Sequence, residues 1–179
     1  MTISLERLLK HMAWANQHTI AHLETLPNEA LSAFATNPEW KVSEIIRHIV
    51  ESGRFYVYRI TGNFPEIPGE KAEEPHSISD LALLKSRAEA IDRALLECEP
   101  LEDIEIEFTN YEKKLVKRWR STILSQSIHH ATEHRAQIAS ALEAKGFNSV
   151  DLDALDLWSY RSEEHTSELQ SPCNLVCRL

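Results

Sequence analysis

The chain has 179 residues, 42% of them hydrophobic, with only four glycines and a formal charge of −9 at pH 7. That length sustains one compact core and points to a single helical domain. The acidic surplus argues against a nucleic-acid partner or an anionic membrane surface, both of which need a broad Lys/Arg face.

No stretch approaches the ~20 apolar residues of a membrane span. The opening run Met1-Thr-Ile-Ser-Leu-Glu-Arg has no apolar leader core, so a soluble, cytoplasmic protein is expected. In the first predicted helix, Leu5, Leu8, Leu9, Met12, Asn16, Ile20 and Leu23 recur at helical spacing until Pro27. Ser43 reads as the N-cap of a second helix, with Ile45, Ile49, Tyr56 and Ile60 on one broad face before Gly62-Asn63 and the Pro65/Pro68 loop. A third helix starts between Ser77 and Asp80. It carries Leu81, Leu84, Ala88, Ile91 and Leu95 at bundle spacing and closes before Pro100. Ile104, Ile106 and Phe108 then alternate with acidic residues, and Asn110-Tyr-Glu-Lys-Lys separates them from Leu115 to Trp119, the pattern of a short β-hairpin. A fourth helix runs from about Ser121 to Gly146, a C′ glycine, with Ile123, Leu124, Ile128, Ala131, Ile138 and Leu142 inward. The expected fold class is therefore all-α, with one hairpin between the third and fourth helices.

Histidine placement carries the chemistry. His130 and His134 are four apart, so their imidazoles stack on one helix face and can share a metal ion. His48 lies at the margin of the second helix's buried face, where it can meet that pair across the bundle. Three neutral imidazoles leave a coordination position open, as in catalytic centres. A rival set, His11, His18 and His22, shares the spacing but lies off the apolar stripe of the first helix, and is read as surface histidines.

Met12-Ala-Trp-Ala-Asn16, Trp40-Lys-Val-Ser43, His48-Ile-Val and His130-Ala-Thr-Glu-His134-Arg-Ala-Gln137-Ile, in that order, resemble the DinB/YfiT-like superfamily of metalloenzymes. The likeness spans residues 3 to about 160, and Ala136 departs from it where the family often has glycine. It implies a four-helix bundle of up-down-down-up topology with one long crossover, and frequent homodimers. It also implies one divalent metal ion on His48, His130 and His134, with zinc or nickel favoured and iron or manganese as further candidates. Some relatives resemble thiol-dependent transferases or isomerases, in which the metal activates a low-molecular-weight thiol toward an electrophile. A metal-dependent hydrolase and a non-enzymatic, stress-related metal-binding dimer are the alternatives.

Asn16, a polar group on an apolar stripe, and Arg135, at an edge of the fourth helix's apolar face, are candidate cofactor-binding residues. Trp14, Trp40 and Trp119 read as packing residues, and Cys98, flanked by Glu97 and Glu99, as a poor nucleophile. From Arg161 onward, Arg-Ser-Glu-Glu-His-Thr-Ser-Glu-Leu-Gln-Ser resembles a translated sequencing-library adapter. The domain is accordingly expected to occupy 1–160 and residues 161–179 to be a non-native, disordered tail, so His165, Cys173 and Cys177 are given no metal role.

Overall fold

In the computed structural model, which describes residues 4–69 and 73–161, Ser4 accepts the Arg7 backbone N–H and opens α1, Leu5–Glu24. α2 spans Val42–Thr61 and stops at Gly62, whose left-handed φ of 77° suits a residue without Cβ. α3, Leu81–Glu97, follows a short 3-10 turn begun by a Ser77/Asp80 capping box. α4, Arg120–Ala144, ends as its sequence foretells: the Phe147 N–H reaches Leu142 O and the Gly146 N–H reaches Glu143 O, a complete Schellman motif. His165, Cys173 and Cys177 lie outside the described residues.

Each of α1 and α2 packs on both α3 and α4. Lys85, early in α3, pairs with Glu24 at the end of α1, so these two run antiparallel. Trp40, just before α2, reaches Gln137 late in α4, so that pair is antiparallel too. His22, near the end of α1, meets Asn148 just past α4, which makes α1 and α4 parallel. The result is an up-down-down-up four-helix bundle. The connection over 62–80 must return along the bundle, because α2 and α3 point the same way. Leu9, Ile20, Ile45, Leu81, Ile91, Leu124, Ile138 and Leu142 are essentially sealed from solvent in the core. Each contributes about 1.5–3 kcal/mol of burial. Gly53 lets α2 and α3 approach closely, since a Cβ there would stand 2.9 Å from Ile91 Cγ2.

Between α3 and α4, β1 (Glu105–Thr109) pairs antiparallel with β2 (Leu115–Trp119), from Glu105 opposite Trp119 to Thr109 opposite Leu115. Asn110 Oδ1 accepts the N–H groups of Glu112 and Lys114, holding a turn in which Lys113 takes a positive φ. Ile106 and Phe108 lean on the bundle.

Three local expectations change. Ser43 is not the cap of α2: Lys41 is, and the Ser43 hydroxyl donates to Glu74 Oε1 at 2.6 Å. Trp119 is half-exposed and packs no core. His11 is not at the surface either. After α4 the chain folds back along α1, where a His11 ring nitrogen donates to Leu155 O at 2.8 Å and Tyr160 meets His11 edge-on and Trp14 at a tilt, so the strap buries a face that α1's periodicity assigns to water.

Candidate metal centre

His48 comes from the second turn of α2, while His130 and His134 come from the middle of α4. Because these helices are antiparallel neighbours, all three imidazoles meet in the gap between them. Nε2 of His48 and Nε2 of His134 each lie 3.0 Å from Nε2 of His130. A single ring nitrogen holds one proton or one lone pair, so His130 Nε2 cannot make both contacts as in-plane hydrogen bonds. Three ring nitrogens turned toward one point form a donor set for a cation. Among the described residues this is the one cluster of His, Cys, Asp and Glu able to hold a metal ion, with ligand atoms all within 4.8 Å of one another. Imidazole nitrogens around a tetrahedral ion stand about 3.3 Å apart, so adjustments of a few tenths of an ångström suffice.

The electrostatics favour neutral, ligand-ready rings at His130 and His48. Burial, then the neighbouring His134 and His48, push His130 from the ordinary 6.5 down to about 4. His48 is lowered as well, by burial first and then by His134.

Trp40 and Gln137 clasp the site from outside. The Trp40 indole N–H donates to Gln137 Oε1 at 2.8 Å, and the same oxygen sits 2.8 Å from His134 Nδ1. Indole is a donor only, so the Gln137 atom between them is the amide oxygen. His134 Nδ1 must therefore carry the proton, which leaves Nε2 with its lone pair toward the cluster. Trp40 also meets the rings of His48 and His134 edge-on.

Beside the cluster opens a cavity of about 730 Å³. His48, His130 and Tyr56 form its floor, Phe55 and Arg59 extend one side, and Phe108, Tyr111 and Arg118 of the hairpin form the opposite wall. Burial raises the Tyr56 hydroxyl above its ordinary value, keeping it protonated.

A model of the DinB family matches residues 1–166. The chain belongs to the DinB family. Neither the curated proteins nor the solved structures contain a match to it.

Asn16 and Arg135 come together elsewhere in this DinB bundle. The Asn16 amide donates to both carboxylate oxygens of Asp92, at 3.2 and 3.4 Å, and its carbonyl accepts from Arg135 Nη1 at 2.8 Å. Arg135 also donates to Thr132 Oγ1. All three are buried, and neither Asn16 nor Arg135 lines the 730 Å³ cavity. Burial raises Asp92 to about 7 and lowers Arg135 to about 10. Asn16 and Asp92 instead line a void of about 10 Å³ that His130 also lines. Asp92, missed in the sequence, had a visible signal: a carboxylate beside Ile91 within the apolar face of α3. Arg59 and the clasp by Trp40 had none, because they depend on what the hairpin and the segment before α2 bring near.

Proposed function

We propose that this DinB-family chain is a metal-dependent enzyme that transfers a low-molecular-weight thiol to a small electrophile, using one divalent ion, zinc or nickel in preference, held by His48, His130 and His134. The observation that carries this reading is the convergence of three imidazole nitrogens, two of them on His48 and His130, which line an open cavity. A divalent ion on such a set brings the pKa of a bound thiol or water into the neutral range. The protein supplies the rest. Gln137 fixes the His134 tautomer, burial keeps His48 and His130 unprotonated, and Phe55, Tyr56 and Phe108 give the cavity an aromatic lining.

Transfer is favoured over hydrolysis by the shortage of general bases. Glu112 is the sole carboxylate among the residues lining the cavity, and it lies on the hairpin paired with Lys114 at 2.7 Å. No helix among the described residues is long and apolar enough to cross a membrane, in keeping with a cytoplasmic setting. A homodimer is the proposed assembly, supported by the exposed aromatic surface of Phe55, Tyr58 and Phe64.

Elemental analysis tests the site. Purified protein should carry about one divalent ion per chain, and His48→Ala, His130→Ala or His134→Ala should each lose most of it. The His18→Ala/His22→Ala double variant should keep it. Retention in the His130 variant with loss in the helix-one variant would refute the site. Metal without any thiol-dependent turnover on a panel of electrophiles would leave the site and remove the transferase reading.

A further inference from the structure

The cavity beside the three histidines is cationic in a strongly acidic protein. Arg59 and Arg118 both line it, whereas its one carboxylate, Glu112, is already engaged by Lys114. Arg59 is the more informative of the two. Its guanidinium lies 5.4 Å from the Tyr56 ring centroid and 5.2 Å from that of Phe108, held between α2 and the hairpin by aromatic faces. Among the described residues no carboxylate pairs with it and no carbonyl accepts from it, although the chain has 28 Asp and Glu in all. It lines the same cavity as His130. A half-buried guanidinium keeps five donors in a fixed fork, and a planar carboxylate is the group that fits the fork. Around it the lining is aromatic: Phe55, Tyr56, Phe108 and Tyr111.

We propose that Arg59 anchors the carboxylate of a small organic acid whose apolar body lies against Tyr56 and Phe108 and whose reacting end points to the His48/His130/His134 cluster. The proposal rests on the reading of that cluster as the reactive centre, and it names the substrate class: a carboxylate-bearing molecule with an apolar or aromatic body. The carboxylate can belong to the thiol or to the electrophile, since both would present the same anion to the same fork. The low net charge of such a molecule matches a cavity lined by two arginines, and a field of this sign inside an acidic surface draws anions selectively to the cavity mouth.

The test is calorimetric titration of the full chain, in metal-stripped and zinc-loaded form, with 3-phenylpropionate and its neutral isostere 3-phenylpropionamide. Metal content is read separately by elemental analysis. The acid should bind at least tenfold more tightly than the amide to both forms. Arg59→Met, which keeps the packing stem and removes the charge, should abolish that preference while keeping full metal content. Arg59→Lys should restore part of it. Equal binding of acid and amide to the unaltered protein would overturn the anchor without needing any variant. So would acid binding that disappears on metal removal and survives Arg59→Met, because the carboxylate would then be sitting on the ion. If no metal binds but the Arg59-dependent preference persists, the anchor stands and the metal reading falls. Repeating the series with 3-mercaptopropionate and 3-mercaptopropionamide separates the two sources. An acid preference larger for the mercapto pair on zinc-loaded protein assigns the carboxylate to the thiol, and one larger for the phenyl pair assigns it to the electrophile.

Discussion

Gln137 Oε1 lies 2.8 Å from His134 Nδ1, and Trp40, by donating to the same oxygen, dictates that the histidine gives the proton. The second nitrogen of His134 is thereby committed to face His48 and His130. Outer partners of this kind are worth about 10–100-fold in metal affinity. Gln137→Leu should weaken zinc binding by that factor in a chelator-competition titration. Trp40→Phe should weaken it less, since the His134 to Gln137 contact survives. Unchanged affinity in Gln137→Leu would mean that the clasp does not tune the cluster.

The Asn16 amide connects a buried acid to a buried guanidinium. Asn16→Ala removes a donor from Asp92 and an acceptor from Arg135 at once, and each stranded group costs about 1–3 kcal/mol. Urea unfolding should show a loss within the range of one or two such penalties. Asp92→Asn, which keeps an acceptor for Asn16 in place, should cost less, and a reversed order would contradict the relay.

Acid should destabilise the metal-free protein through His130 and His48. Their folded-state pKa values lie below the ordinary 6.5, so on acidification the unfolded chain takes up protons that the folded chain refuses. Stability falls as pH drops from 6.5 toward about 4. Asp92 works the other way. Raised from 3.8 to about 7, it holds a proton in the folded chain that the unfolded chain releases, so its contribution is present at low pH and lost as pH rises through about 7. The two trends oppose one another across the same window. Asp92→Asn should therefore steepen the acid-side loss, measured by urea unfolding of stripped protein between pH 4 and about 7.5. A slope identical to the parent's would show that Asp92 does not titrate there.

Gly53 is a point of tight approach between α2 and α3. A side chain would begin 2.9 Å from Ile91 Cγ2, an atom that a β-branched residue in a helix cannot swing away. Gly53→Val should cost about 1–3 kcal/mol, lowering Tm by roughly 2–4 °C per kcal/mol. A melting temperature equal to the parent's would mean that the helices part without penalty.

The helices and the hairpin were legible because apolar periodicity and turn residues act locally: Leu81, Leu84, Ala88, Ile91 and Leu95 mark α3, and Asn110 marks the turn. The histidine cluster was legible from the four-residue spacing of His130 and His134, with His48 placed by its position on a buried margin. Ser43 misled because a hydroxyl near a helix start looks like a cap, whereas Glu74, thirty-one residues on, captures it. His11 misled because nothing in the periodicity of α1 announces that residues past 150 will lie over it. Asn16 and Arg135 were marked by polarity in apolar places, but their partner Asp92 lies on a third helix, and only the packed bundle joins the three.

The three histidines ride on two core helices, whereas the outer wall of the cavity is a two-stranded ribbon that adds little to the interior. What holds the ion and what meets the incoming molecule are thus on separately replaceable parts. Changes at Tyr111, Val116 and Arg118 can redraw the entrance at little risk to folding or to the ligand set, so a library randomised at those three positions is a direct route to new substrates on an unaltered bundle.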